Sequence, residues 1–343
     1  MSKEAGYCVA VVGATGLVGR EIVRILEERS FPVGSLRLFA SERSAGEQLD
    51  YCGRKYIVEA LGDEAPAGID IALFSAGSSL SRKMAPRFAA AGAVVIDNSS
   101  AWRMEKGVPL VVPEVNPQAV FEVADGGGII ANPNCSTIQL VVALKPLVDA
   151  FGVERVVVST YQSVSGAGQA AMEELSQQVV ALFSSQEPVA EAMAHPIAFN
   201  CIPGIGQALD NGYTEEEWKL VQESRKILEL PTLSVSPTAV RVPVFSCHAE
   251  SVNVTCSRTV SAVQARAALS GGEGIVVQDR LAEDLYPMGR ELTGSDEVYV
   301  GRIRQDPDRE DTINFWIVAD NLRKGAALNA VQIAEVFDEG PEE

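Results

Sequence analysis

Long apolar runs, histidine and basic charge are what this sequence has least of. No stretch of 18 or more apolar residues occurs in its 343, so no segment has the length to cross a bilayer as a helix. The opening Met1-Ser-Lys-Glu-Ala-Gly-Tyr lacks the apolar core of a signal peptide, which points to a cytoplasmic protein. Lys and Arg number 28 against 46 Asp and Glu, a formal charge of -18. Phosphate backbones and anionic lipid need clustered basic residues, so neither nucleic acid nor a membrane is an expected partner. Most of the acidic charge reads as solvated surface. There are two histidines, and six cysteines (Cys8, Cys52, Cys135, Cys201, Cys247 and Cys256) with no Cys-x-x-Cys pair. Neither a zinc cage nor a disulfide framework is suggested, no metal is expected, and the thiols are read as free.

What is present is ample apolar content, 47% of the chain, enough for two cores and hence two domains. The start reads β-α-β: Tyr7 to Val12, a glycine turn, the amphipathic Glu21 to Leu26, then Leu36 to Ala40. Further apolar strands are expected at Ile69 to Phe74 and Ala93 to Asp97, with a helix over Leu80 to Ala91 despite Pro86. Continuous apolar strands indicate a parallel sheet covered on both faces. After Cys135 the elements lengthen: a strand over Arg155 to Tyr161 and helices near Gln169 to Phe183 and Glu215 to Leu230. Alternating strands over Val240 to Val254, Glu297 to Ile303 and Thr312 to Val318 predict antiparallel pairing, one face on a core and the other open to a partner subunit. A final helix, Lys324 to Phe337, returns to the first domain. The fold class is α/β, a Rossmann-like dinucleotide-binding domain (1–134 plus 322–343) with a mixed α+β domain (135–321).

Gly13-Ala-Thr-Gly16-Leu-Val-Gly19 lies between the first strand and the first helix. There, main-chain N–H groups and the helix dipole hold a pyrophosphate, and glycines permit its close approach. The spacing is GxxGxxG, and a plain strand-to-helix turn is the weaker alternative. Ala40-Ser-Glu-Arg-Ser-Ala-Gly46 occupies the end of the second strand, where an acidic residue would bind a ribose hydroxyl and Arg a 2′-phosphate. Arg43 with Ser41 and Ser44 suits the phosphate, predicting NADP over NAD; the plainer reading pairs Arg43 with Glu42 as surface charge.

Cys135 sits between the apolar Gly128-Ile-Ile-Ala and a long apolar helix. A helix N-terminus stabilises a thiolate, and its free N–H groups stabilise the oxyanion formed when a thiolate attacks a carbonyl. Most free cysteines are small packing residues, a reading that suits Cys8, Cys201 and Cys256. Cys135 differs in its polar neighbours Asn132, Asn134, Ser136 and Thr137. As acid/base partner His248, in a strand-like segment, is preferred to His195, which precedes Pro196 in a loop.

Together these motifs resemble the aspartate-β-semialdehyde dehydrogenase family nearly end to end. Besides the glycine turn and the Ser41–Gly46 loop, the resemblance runs through Asp97-Asn-Ser-Ser-Ala-Trp-Arg103, Val112-Pro-Glu-Val-Asn116 and Asn132-Pro-Asn-Cys-Ser-Thr137. It continues through Tyr161-Gln-Ser-Val-Ser-Gly-Ala-Gly168, Arg241-Val-Pro-Val244 with His248, and Asp320-Asn-Leu-Arg-Lys-Gly325. The Asn-Pro-Asn-Cys-Ser-Thr box is the most specific. Trp102, where Phe is more usual, and Glu42 depart from the pattern without removing a reacting group.

The resemblance implies a catalytic and dimerisation domain like that of glyceraldehyde-phosphate dehydrogenase, and a homodimer or dimer of dimers. It implies NADP-dependent conversion of L-aspartate 4-semialdehyde and phosphate to 4-phospho-L-aspartate, on the route to lysine, threonine and methionine. Cys135 would form the acyl-enzyme, His248 would be the acid/base and Gln162 would orient substrate or thiol. Arg103 and Lys219 would hold phosphate, Arg241 the α-carboxylate and Glu216 the amino group, with Asn134 also facing substrate. Gly13, Thr15, Gly16, Leu17, Val18, Ser41, Arg43, Ser44, Ser165, Gly166 and Asn321 would contact the cofactor. The rivals are N-acetyl-γ-glutamyl-phosphate reductase, which shares the plan, and a non-catalytic paralogue. One geometric difficulty stands: Arg241 and His248 are seven apart, and a straight strand would aim them at opposite faces. Pro243 marks a bend or bulge there.

Overall fold

The structure is a computed structural model describing residues 5–123 and 127–341. The chain divides into two compact units, residues 1–134 with 326–343, and residues 135–325.

The first unit is a seven-stranded sheet in the order β3-β4-β2-β1-β5-β6-β7. Its strands are β1 Tyr7–Val12, β2 Val33–Ala40, β3 Gln48–Tyr51, β4 Arg54–Ala60, β5 Ile71–Phe74, β6 Val94–Asp97 and β7 Gly128–Ala131. All pairs are parallel except the β3–β4 hairpin. The alternation of the strands sends Val9 and Val11 to one face, against Ile22, Ile25 and Leu26 of helix α1 (Leu17–Glu28) and Leu328 and Val331 of helix α8 (Leu328–Glu339). Ala10 and Val12 go to the other, against Met84 and Phe88 of helix α2 (Ser78–Ala90). Burial on both faces is why these strands read as continuous apolar runs. Strand order reverses at β1, flanked by β2 and β5, and a crevice at such a switch point is where α/β sheets bind ligands.

The second unit is a mixed six-stranded sheet in the order β11-β12-β13-β10-β8-β9. The strands are β8 Val153–Gln162, β9 Ser234–Arg241, β10 His248–Cys256, β11 Ile275–Val277, β12 Val298–Gln305 and β13 Thr312–Ala319. Helices α3 (Cys135–Phe151), α5 (Glu215–Ile227) and α6 (Ala262–Ser270) pack on one face; α4 (Gln169–Phe183) and the short α7 (Gly289–Leu292) lie beside it. The opposite face carries residues of the other parity, among them Tyr161 and Trp316, whose rings meet at 5.3 Å. A cavity of about 1060 Å³ opens on that face, lined by Tyr161, Phe245, Arg302 and Trp316.

The expected antiparallel pairing appears between β10 and β13 and between β12 and β13. The single strand expected over Val240 to Val254 does not form. Its first two residues end β9, residues 242–247 form a loop that includes Pro243, and β10 begins at His248. The two strands are not adjacent, because β8 lies between them, parallel to β9 and antiparallel to β10.

Candidate active site

That interruption brings the predicted side chains together. Gln162, the last residue of β8, is registered with Arg241, the last of β9. On the other side Tyr161 is registered with Ala249, which leaves His248 beside Gln162. His248, Gln162 and Arg241 thus stand in a row across three strands, all three buried. The apparent mismatch of parity between Arg241 and His248 disappears because they lie on different strands. Strand parity also places the Tyr161 and Trp316 cavity on the reverse face, away from this row.

Cys135 is the first residue of α3, half-buried, with no acidic residue in the helix's first turn. The partial positive charge of that terminus favours a thiolate. A Cβ added at Gly325 would sit 2.9 Å from the Cys135 Cβ, so the chain passes this close only because that residue is glycine. Burial lowers the proton affinity of Arg241, and the charges of Cys135 and Glu216 act to restore it. A guanidinium stays charged in either case. Its Nη1 donates to the Ser163 carbonyl at 2.7 Å.

The Gln162 amide donates to Ser136 Oγ (2.6 Å) and to Glu216 Oε1 (3.1 Å), tying the first turn of α3 to α5. Lys219 Nζ reaches Glu216 Oε2 at 3.1 Å, the i, i+3 contact of one helical face. A Thr214–Glu217 capping box starts α5 and sets the direction of that face. Burial, followed by the nearby Arg241 charge, pushes His248 down to about 3, partly offset by Glu216. The ring is therefore neutral across the physiological range. Its Nδ1 receives the Ser163 N–H at 3.1 Å, and Nε2 has no hydrogen-bond partner among the described residues. Gly166 lies over this nitrogen: a Cβ there would be 3.2 Å from Nε2 and 3.1 Å from Arg241 Nη1. Buried Ser165 and Asn321 are joined by a 3.0 Å hydrogen bond, Asn321 Nδ2 to Ser165 Oγ.

The remaining predicted residues belong to the first unit. Gly13 follows β1 with φ +85°, and a Cβ on it would strike Ser75 O at 2.5 Å. A Cβ on Gly19 would strike the Gly13 carbonyl, so the two glycines let α1 start hard against the strand. Gly16 is the N-cap of α1 and supplies no side-chain cap; no acidic residue follows in the first turn. The turn over Thr15, Leu17 and Val18 therefore offers main-chain N–H groups to an anion, which fits a dinucleotide pyrophosphate. Ser41 and Arg43 are exposed and Ser44 half-buried in a short 3-10 turn after β2. Arg103 is buried, its Nε bonded to Asn132 O (3.0 Å) and one Nη to Asn98 O (2.8 Å). Asn134 is buried; Asn132 Oδ1 accepts from Asn329 Nδ2 of α8 at 2.6 Å, tying the strand end before the cysteine to the returning helix.

One further sequence expectation needs correction. Cys201 is exposed, so the reading of small buried cysteines fits Cys256 and not Cys201. Sequence reasoning also passed over Ser163 and Glu250, both fully buried on the functional side of the sheet. Ser163 lay inside the motif Tyr161 to Gly168, but its partner is 85 residues away. His195 stands exposed in a bend. Among the described residues no cluster of three or more His, Cys, Asp and Glu could hold a metal, and no helix is long and apolar enough to cross a membrane.

A glycine-turn parallel sheet in one unit, and in the other a thiol at a helix start with a buried neutral imidazole, are features of a dinucleotide-dependent dehydrogenase. Family comparison agrees: residues 8–123 match the semialdehyde dehydrogenase NAD-binding domain and residues 144–324 the semialdehyde dehydrogenase dimerisation domain. The chain belongs to the semialdehyde dehydrogenase family, and within it to the aspartate-semialdehyde dehydrogenases. It is 54% identical to the aspartate-semialdehyde dehydrogenase of Aquifex aeolicus over 334 residues, 97% of this chain and 98% of that one. The crystal structure of aspartate semialdehyde dehydrogenase II of Vibrio cholerae complexed with ASA superposes with a TM-score of 0.95 at 48% identity, covering 98% and 99% of the chains. The Candida albicans aspartate semialdehyde dehydrogenase with NADP gives 0.76 at 26% identity, over 97% and 98%.

Proposed function

We propose that this chain converts L-aspartate 4-semialdehyde and phosphate to 4-phospho-L-aspartate, reversibly, with Cys135 as the covalent nucleophile. The observation that carries the reading is the row His248, Gln162, Arg241 on three adjacent strands, with the Cys135 charge acting on Arg241. The names of the relatives favour the aspartyl substrate over N-acetyl-γ-glutamyl phosphate.

In the biosynthetic direction the Cys135 thiolate attacks the acyl phosphate and phosphate departs, leaving a thioester. A thioester accepts hydride more readily than a carboxylate; a nicotinamide cofactor, when bound, would supply that hydride. His248 manages the proton on the substrate oxygen of the resulting thiohemiacetal, which collapses to aldehyde and thiolate. Gln162 orients the thiol and the bound acyl group through the first turn of α3. Arg241 pairs with the substrate α-carboxylate and Glu216 with its amino group. Lys219 and Arg103 hold phosphate, and Asn134 lines the same substrate. A dianionic substrate explains basic side chains kept at buried positions in an acidic protein.

The first unit binds the cofactor through Gly13, Thr15, Gly16, Leu17 and Val18, with Ser165, Gly166 and Asn321 contacting it from their own unit. Arg43, Ser41 and Ser44 prefer the 2′-phosphate of NADP. The second unit carries catalysis and dimerisation, the open sheet face with Tyr161 and Trp316 meeting a second copy; a homodimer, or two such dimers, is the assembly. The cytoplasm suits six free thiols.

The test is NADPH formation from aspartate semialdehyde with and without phosphate, beside N-acetylglutamate semialdehyde. Phosphate-dependent turnover of the first substrate alone is expected. Cys135→Ala should keep cofactor binding and lose turnover by at least about 10⁴-fold. Substantial residual turnover in that variant removes the thioester from the mechanism.

A further inference from the structure

We propose that Ser163 is a positioning residue for His248. Its main-chain N–H and its side-chain oxygen each serve Nδ1 in a different protonation arrangement of the ring, so that Nε2 can release and recover a proton. The proposal rests on the assignment of His248 as the acid/base group and deepens it.

Ser163 follows directly on β8, is fully buried, and uses every polar atom within this unit. Its N–H donates to His248 Nδ1 at 3.1 Å, and its carbonyl accepts from Arg241 Nη1 at 2.7 Å. Its Oγ stands 3.1 Å from the same Nδ1, 3.0 Å from Ser165 Oγ and 3.0 Å from Asn321 Oδ1. One residue therefore links the imidazole, the guanidinium and Asn321.

A backbone N–H can only donate. While it holds Nδ1, that nitrogen presents its lone pair, and a neutral ring must carry its proton on Nε2. In that form Nε2 can donate a hydrogen bond to a substrate oxygen but cannot take a proton from one. To act as a base the ring needs its own proton on Nδ1, and that N–H then needs an acceptor, because His248 has no access to water. Ser163 Oγ is the acceptor in reach. Its own proton goes to Asn321 Oδ1, while Asn321 Nδ2 donates to Ser165 Oγ at 3.0 Å. In the aldehyde-oxidising direction the thiohemiacetal O–H bond breaks, an N–H bond forms at Nε2, and the neutral ring becomes the cation; no electrons are transferred in that step. Both the base form and the cation carry Nδ1–H on Ser163 Oγ. The ligand-free ring rests on the Ser163 N–H.

The chain has two histidines, so ¹⁵N-histidine spectra contain two rings, and a His195→Asn variant assigns them. Wild type should show His248 mainly as the Nε2–H tautomer with a detectable Nδ1–H population; Ser163→Ala should show Nε2–H alone. Turnover in Ser163→Ala should fall roughly 10- to 100-fold, with KM for semialdehyde and phosphate within about 3-fold of wild type. Ser163→Thr, which keeps the hydroxyl, should recover most of the loss. Identical tautomer populations in wild type and Ser163→Ala, or unchanged kcat in Ser163→Ala while His248→Ala is inactive, overturn this inference alone. Full activity of His248→Ala overturns the acid/base reading, and this inference with it.

Discussion

Glu250 offers a prediction whose size follows from burial. It sits two residues after His248 on β10, on the same face, registered with Thr160 of β8 and Ile317 of β13. It has no solvent exposure, and among the described residues neither carboxyl oxygen has a hydrogen-bond partner. The Gln139 amide of α3 acts on the carboxyl in favour of its charged form, yet its Nε2 makes no bond of normal geometry either. Burial dominates and raises the proton affinity of Glu250 well above the ordinary 4.5, so the folded protein holds a neutral carboxylic acid there. Above pH 4.5 the unfolded chain releases this proton and the folded one keeps it. Stability therefore falls as pH rises, by about 1.4 kcal/mol per pH unit until the folded group titrates. At pH 7 the loss reaches at most about 3.5 kcal/mol. Glu250→Gln keeps the shape and polarity without the proton, so it should match wild type near pH 4.5 and exceed it increasingly toward pH 7. With a urea slope of about 1–3 kcal/mol per molar, the midpoint difference at pH 7 should reach up to about 1–3 M. Tryptophan fluorescence reports it, since Trp218 and Trp316 both lie in the second unit. A midpoint difference that is the same at pH 5 and pH 7 would refute the buried neutral acid.

Gly166→Ala should fold with a loss of no more than about 1–3 kcal/mol, since the new methyl meets side-chain ends that can shift by tenths of an ångström. That methyl stands over His248 Nε2, so kcat should fall about 100-fold; wild-type turnover would mean the substrate oxygen approaches from another side. Arg43→Ala should lower kcat/KM for NADP by roughly 10- to 100-fold, the worth of a charge-assisted phosphate contact, and leave that for NAD nearly unchanged. Equal losses with both cofactors would remove the 2′-phosphate role.

Local pattern sufficed for much of this protein. The apolar strands β1, β5 and β6, the turn Gly13 to Gly19 and the placement of Cys135 at a helix start follow from short-range rules: which residues permit a tight turn, which alternate, which begin a helix. The family could be read from motifs such as Asn132 to Thr137 because the cysteine, the helix start and its polar neighbours are contiguous there. Hairpin β3–β4 and strand β9 went unread because their residues are mixed in polarity and part exposed. Strand order is a different matter. Nothing local in Val240 to Val254 says that the chain leaves the sheet at Val242, returns at His248, and does so with β8 inserted between. Long-range register decides it, as each strand settles where its alternate residues are buried. That register sets Arg241, Gln162 and His248 side by side, gives Ser163 its hold on both the imidazole and the guanidinium, and leaves Glu250 in a site too dry to stay charged. The residue types announced the chemistry; their proton states were decided by burial and hydrogen-bond partners that exist only once distant segments have packed.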